Sequence, residues 1–122
     1  MRQERGTYYI PVTVNGIEME FIFDTGASII SISAAESVFM LRQDKLHESD
    51  IIGTSYFSDA TGTISEGASI NLREVKIGTR TLHNVKASVV HNIEAPLLLG
   101  QSALNQFGRI TIDYNQNILI LE

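Results

Sequence analysis

The chain has 122 residues, with 9 Lys and Arg against 14 Asp and Glu and a formal charge of −5. This is the length of one domain, residues 1–122, with room for a core of its own, and the acidic balance argues against a nucleic-acid partner. Cysteine is absent, His47, His83 and His91 have no ligand-like spacing, and no apolar run reaches the ~18 residues of a membrane span, so no disulfide, metal, cofactor or membrane span is expected.

Met1 to Gly6 is polar and reads as a frayed end or a pairing arm. It has no signal-peptide core. The abrupt start of a near-complete domain is compatible with a piece of a longer secreted or membrane-tethered chain, and nothing in the sequence sets its compartment. Tyr8 to Val14 alternates and reads as a strand. Asn15-Gly16 is a strong hairpin signal and returns the chain into a second strand, Ile17 to Asp24. On that strand Ile17, Met19, Phe21 and Phe23 share one face, and Glu18, Glu20, Ile22 and Asp24 share the other. A carboxylate is thus delivered at the end of an apolar strand, just before a glycine. Asp is a poor strand residue. Asp-Thr-Gly alone reads as a turn. Flanked by Ile22, Phe23, Ala27 and Ile29, it reads as a buried or cleft-lining carboxylate that needs partners. The loop Thr25 to Ser28 leads into a short strand, Ile29 to Ile32.

Ser33 to Arg42 reads as a helix. Ser33 and Glu36 fit a capping box, and Ala34, Val38 and Leu41 recur at helical spacing as its apolar face. Gln43 to Asp50 is charged and loop-like. Ile51 to Phe57 and Ile64 to Ile77 read as strands joined by the small, polar tip Ser58-Asp59-Ala60-Thr61-Gly62-Thr63. From the residues alone this is a surface hairpin with a tip suited to motion. Gly78-Thr79-Arg80 turns the chain into Thr81 to Val90. The apolar run Pro96-Leu97-Leu98-Leu99-Gly100 follows, then a helix between Gly100 and Gly108 with Leu104 and Phe107 on its apolar side. Arg109 to Tyr114 alternates, Asn115-Gln116-Asn117 turns, and Ile118 to Leu121 closes the chain. That last strand is apolar on both faces, a hazard that burial in a subunit interface would remove. A weak internal repeat runs through this order: hairpin, glycine loop and helix over residues 12–42, and again over 75–108.

Phe23-Asp24-Thr25-Gly26-Ala27-Ser28 resembles the active-site loop of the retropepsins, the single-lobed aspartic proteases. Pro96-Leu97-Leu98-Leu99-Gly100, with Gln101 to Gly108 after it, resembles the segment that threads beneath that loop and the short helix that follows. The resemblance spans about Tyr8 to Leu121. It implies an all-β, mainly antiparallel closed barrel with one or two short helices, assembled as a homodimer that hydrolyses polypeptide without a cofactor. It implies Asp24 as the catalytic carboxylate and Thr25 in a hydrogen-bond clamp between subunits. Gly26 would allow close backbone approach, with Ala27 and Ser28 completing the loop. Leu98, Leu99 and Gly100 would lie beneath it. Tyr56, Phe57, Ser58, Asp59, Ala60, Thr61 and Gly62 fall at the flap that closes over substrate. Ala27 stands where two-lobed pepsins commonly carry Ser, so the ionised aspartate lacks that hydroxyl donor. Ser28 departs from the acidic residue of many viral members, so that residue's substrate contacts do not carry over.

Carboxylate-catalysed peptide hydrolysis needs two carboxylates sharing one proton. This chain has one Asp-Thr-Gly. Asp113, in Ile112-Asp113-Tyr114, lacks the Thr/Ser-Gly of a second loop. One carboxylate per chain calls for a symmetric homodimer with Asp24 of each copy on the two-fold axis. Two other readings compete. A non-catalytic peptide-binding or dimerisation module on the same fold would have no need of an intact Asp-Thr-Gly. An actin-like phosphotransferase, whose phosphate loop Phe23 to Ser28 also resembles, needs a far longer chain and a second such loop.

Overall fold

The computed structural model describes residues 1–58, 64–90 and 96–122, with 55–58 and 64–66 described through the backbone alone. The chain begins with β1 (Arg2–Glu4), which turns at Arg5 and Gly6 and pairs antiparallel with β2 (Thr7–Val14). The polar start is therefore a pairing arm. Arg2 fixes it: its guanidinium lies 4.0 Å above the Tyr9 ring and pairs with Glu20 and Glu4. The hydrogen bonds to Glu20 and Glu4 raise the Arg2 pKa, and the same contact holds the Glu20 carboxyl below its ordinary range.

Asn15 (φ 48°) and Gly16 (φ 87°) both take the left-handed conformation that a tight two-residue hairpin requires, and β3 (Ile17–Phe23) returns along β2. The Asn15 side chain adds a second role. Its Nδ2 donates to the Lys45 carbonyl (2.8 Å) and its Oδ1 accepts from the Glu74 amide (3.0 Å), which ties the loop after the first helix to a distant strand.

β4 (Ile30–Ser33) runs directly into α1 (Ala34–Arg42). The Ser33 hydroxyl accepts from the Glu36 amide at 3.3 Å. This is one half of the expected capping box, and no reciprocal Glu36 bond occurs among the described residues. The helix buries a different face from the one its sequence suggests. Ser37 and Met40 are buried, whereas Val38, Phe39 and Leu41 are exposed. β4 leads straight into the helix at Ser33, so the strand sets the helical phase, and positions 34, 37 and 40 turn inward. Ser37 tolerates this because its hydroxyl donates to the Ala34 carbonyl. The charged stretch from Gln43 to Asp50 also contains more order than a loop. Glu48–Asp50 forms a short 3₁₀ turn, where buried Asp50 accepts from the His47 amide (3.0 Å) and faces Arg73 (3.4 Å).

β5 (Ile51–Ser58), β6 (Ile64–Ile77) and β7 (Arg80–Val90) form an antiparallel meander. β8 (Leu98–Leu99) is short, and α2 (Gln101–Leu104) is a single turn. The sequence reading carried this helix to Gly108; instead the chain leaves it early and buries Phe107 from a turn. β9 (Ile110–Asp113) and β10 (Ile118–Leu121) pair as a separate two-stranded sheet. From it Leu119 and Leu121 pack on the core, while Ile118 and Ile120 stay exposed.

The other eight strands make one sheet in the order β1-β2-β3-β8-β4-β7-β6-β5, and a further pairing of β2 with β6 closes the six from β2 to β6 into a ring. Pairing is antiparallel except for β3 with β8 and β4 with β7. The fold is thus the mainly antiparallel closed barrel that the sequence led us to expect. Its interior is filled by one face of each strand: Val12 and Val14, Met19 and Phe21, Ile30 and Ile32, Ile70 and Leu72, Val85 and Ala87, and Leu99. A fully buried Phe or Ile contributes roughly 1.5–3 kcal/mol relative to its exposed state. The internal repeat is visible in the topology. Exchanging β3 with β7 and β4 with β8 reverses the order β3-β8-β4-β7 without changing it, and carries the parallel pair β3–β8 onto the parallel pair β7–β4.

Among the described residues Ser33 is the only side chain that caps α1. Ser33→Ala is expected to lower the unfolding free energy by about 1 kcal/mol in urea denaturation, with the m-value unchanged.

Candidate active site

β3 carries Asp24 to the open end of the barrel, at the opposite end of the strand from the Asn15-Gly16 turn. The carboxylate is half-buried, and Thr25, Gly26 and Ser28 around it are exposed, with Ala27 half-buried. Among the described residues the Asp24 side chain makes one hydrogen bond: Oδ1 accepts from the Gly26 amide at 2.9 Å. The Ala27 amide closes the turn onto the Asp24 carbonyl (3.3 Å). The loop therefore holds one carboxylate oxygen and leaves the outer surface of the tripeptide unencumbered. A Cβ on Gly26 would come 3.3 Å from that same Oδ1, so a side chain there would crowd the carboxylate.

The loop is held from below by the second motif. The Ile22 amide donates to the Leu97 carbonyl (2.8 Å) and the Asp24 amide to that of Leu99 (3.2 Å), so β8 runs parallel to the end of β3. Leu99 is fully buried, and Leu98 is half-buried beside Ile22. Gly100 then passes under the loop. A Cβ at this position would lie 2.8 Å from the Ala27 carbonyl oxygen and closer still to that of Ile29. The conformation of Gly100 is ordinary extended backbone (φ −102°), so space alone requires the glycine.

Two residues that the sequence reading did not single out complete the support. Gln101 binds the loop twice: its amide donates to the Ala27 carbonyl (2.8 Å) and its Nε2 to the Thr25 carbonyl (3.0 Å). Ser102 accepts from the Ile30 amide (2.9 Å) and donates to the Lys86 carbonyl (2.8 Å). It thereby staples β4 and β7 just beneath the loop. The available signal was the pair of polar residues following an apolar run that ends in glycine, since such residues are well placed to satisfy the open backbone carbonyls and amides of a loop.

The strand pairings define what shares a face with Asp24. A lateral row runs Tyr9, Ile22, Leu98, Ser31, Ser88, Ser69, each paired with the next. Asp24 follows Ile22 by two residues and so lies on this face, while Phe21, Ile30, Ile32, Ala87 and Val89 fill the other. The row is apolar at Ile22 and Leu98 and then changes to three serines.

Of the expected flap residues, Tyr56, Phe57 and Ser58 fall in β5, described through its backbone, and Asp59, Ala60, Thr61 and Gly62 lie outside the described residues. Asp113 is far from a second catalytic loop in character: its Oδ1 accepts from the Asn115 and Gln116 amides and shapes the β9–β10 turn. A hollow of about 290 Å³ lined by Asn15, Asp44, Lys45, His47, Arg73 and Glu74 lies at the other end of β3 and carries charges of both signs. It has no connection with the Asp24 loop.

Comparison with known proteins bears on this arrangement. Residues 10–106 match the family described as "gag-polyprotein putative aspartyl protease". No curated protein sequence matches the chain. Among solved structures, a retropepsin-like aspartic protease from Rickettsia conorii superposes with a TM-score of 0.72 at 28% identity, over 99% of this chain and 93% of that one. EIAV protease, in complex with the inhibitor HBY-793, superposes with a TM-score of 0.67 at 15% identity, over 87% of this chain and 92% of its own, which is a likeness of fold.

Gly100→Ala should cost about 2–4 kcal/mol, because backbone carbonyls on both sides cannot move away from the added methyl. The loss is to be read from chemical denaturation, and Gly53→Ala, where a Cβ meets nothing within 4 Å, is the control.

Proposed function

The chain belongs to the gag-polyprotein aspartyl protease family, and from that membership we propose that it is an aspartic endopeptidase whose active site forms between two copies. On this reading residues 1–122 act as one protease domain. Each copy lends one Asp24, and the two carboxylates meet on a two-fold axis over a single bound water. The observation that carries the reading is that each chain has one intact Asp-Thr-Gly, held at the barrel's open end with its outer surface exposed. Asp113 is committed to its own turn and is no substitute for a second copy.

The chemistry follows from the pair. One carboxylate, ionised, takes a proton from the water as its oxygen attacks the scissile carbonyl carbon. The other, protonated, gives its proton to the carbonyl oxygen. The resulting diol collapses as the C–N bond breaks and the leaving nitrogen takes up a proton. Two like charges at such short range do not both ionise, so one carboxyl keeps a proton while the other acts as the base. The chain supports each part of this. The Gly26 amide fixes one oxygen of Asp24, and Gln101 and Gly100 fix the backbone that bears it. Thr25 is exposed in the single chain, as a clamp residue reaching for a partner would be. The exposed Ile118 and Ile120 of β10 offer apolar surface for the same association.

Asp24→Asn keeps the shape of the side chain and removes the base. The purified variant is expected to lose peptide cleavage by at least about a thousandfold while its circular dichroism and melting temperature stay close to wild type. Residual cleavage of the same bonds at an appreciable rate would defeat the carboxylate mechanism.

Association gives a second, independent test. Activity per chain should fall on dilution through the dimer dissociation constant, with the rate approaching second order in chain concentration. Sedimentation over the same range should show the dimer giving way to monomer in step with the activity. A rate that stays first order in demonstrated monomer would exclude the shared site.

A further inference from the structure

The face of the barrel that carries Asp24 changes chemistry partway across. Ile22 and Leu98 are apolar and half-buried, but the next three positions in the row are Ser31, Ser88 and Ser69, exposed by 7%, 0% and 6%. β4 and β7 are internal strands, where buried positions ordinarily take β-branched or aliphatic side chains. Their other face obeys that rule with Ile30, Ile32, Ala87 and Val89. The serines are therefore confined to the Asp24 face.

They are costly there. A buried hydroxyl loses its water and must find a partner. Among the described residues the Ser88 hydroxyl has none. Alanine would fill the same place without that penalty, so the row asks for an explanation other than packing. Its position supplies one. Ser31 is the first of the three from Leu98 and lies two strands from Ile22, roughly 10 Å at ordinary strand spacing. An extended peptide places side chains of one side every ~7 Å. A peptide running from Asp24 along this row would bring one of its side chains over Ser31.

We propose that Ser31 is a specificity-determining residue, backed by Ser88 and Ser69 as positioning residues, and that it selects a small hydrogen-bonding substrate side chain (Ser, Thr or Asn) close to the scissile bond. This rests on the protease reading above. A hydroxyl or carboxamide delivered over Ser31 gains a hydrogen bond. Val or Leu at that place leaves the Ser31 hydroxyl covered and unpaired, and is disfavoured for that reason. Ser88 stands one strand further in, with its hydrogen-bonding capacity unspent, and holds the Ser31 side of the row polar.

The probe is a peptide library randomised at four positions on each side of a fixed central bond, with cleavage read by mass spectrometry and binding read separately by capture on the Asp24→Asn protein. One position on each side should prefer Ser, Thr or Asn over Val and Leu by about tenfold, the value of one net hydrogen bond. Ser31→Val should reverse the preference at that position alone, leaving the others as they were. Ser88→Ala should raise the melting temperature by removing an unpaired hydroxyl, yet flatten the same preference, which a purely structural role would not do. Aliphatic preference at every position, or a Ser31→Val profile identical to wild type, would overturn the proposal. If the wild-type chain cleaves nothing while the Asp24→Asn protein still captures peptides with the Ser31-dependent preference, the subsite stands and the protease reading falls. Capture without any such preference would remove the subsite as well.

Discussion

The site depends on a single close crossing. Gly100 passes beneath the carbonyls of Ala27 and Ile29 with no room for a side chain, and this contact locks the carboxylate loop to a segment some seventy residues away. What surrounds it can be derived from that crossing. β8 must run beside β3 to bring Gly100 there, which makes the pairing parallel and draws amide bonds from Ile22 and Asp24. Gln101 follows at once and reaches the undersides of Thr25 and Ala27. Ser102 follows in turn and joins β4 to β7. The loop's shape is held from beneath by the Gly100 crossing and by the Gln101 amide and side chain, while Thr25, Gly26 and Ser28 stay exposed.

Much of this was readable from the residues. The left-handed turn at Asn15-Gly16, the alternation of β2 and β3, the cap at Ser33 and the terminal apolar strand all follow local rules, and local rules suffice where neighbouring residues decide the outcome. The motif around Asp24 was readable as well, together with the apolar run ending in Gly100. What escaped was whatever depends on phase or on distant partners. Val38 and Leu41 have the spacing of an inward face, but β4 runs directly into α1 and Ser37 and Met40 turn inward instead. The second helix stops after one turn, at Leu104, and Phe107 is buried from the turn that follows. Ser31, Ser88 and Ser69 are unremarkable in the sequence. Only the strand register sets them side by side.

The two halves of the barrel show how one design serves two purposes. Each half has a hairpin, a short strand and a helix, and each short strand pairs in parallel with the hairpin of the other half. In the first half the bend after the hairpin bears the carboxylate. In the second, the corresponding strand supplies the glycine that supports it. One half thus bears the Asp24 carboxylate and the other the glycine that passes beneath it.

This exchange of strands has a consequence for how the protein comes to be made. β3 meets β8 across about seventy-five residues of sequence, farther than β2 meets β6 or β4 meets β7, so the contact that shapes the loop spans the most sequence in the barrel. Contacts of such span form slowly, after the hairpins whose closure costs little entropy. On a ribosome, synthesis proceeds from the N-terminus, and Asp24 leaves the tunnel long before Gly100. During that interval the hairpins can form, yet the carboxylate has nothing beneath it. The nascent chain is thereby unable to assemble its own loop until most of the barrel has been synthesised, a delay imposed by topology alone.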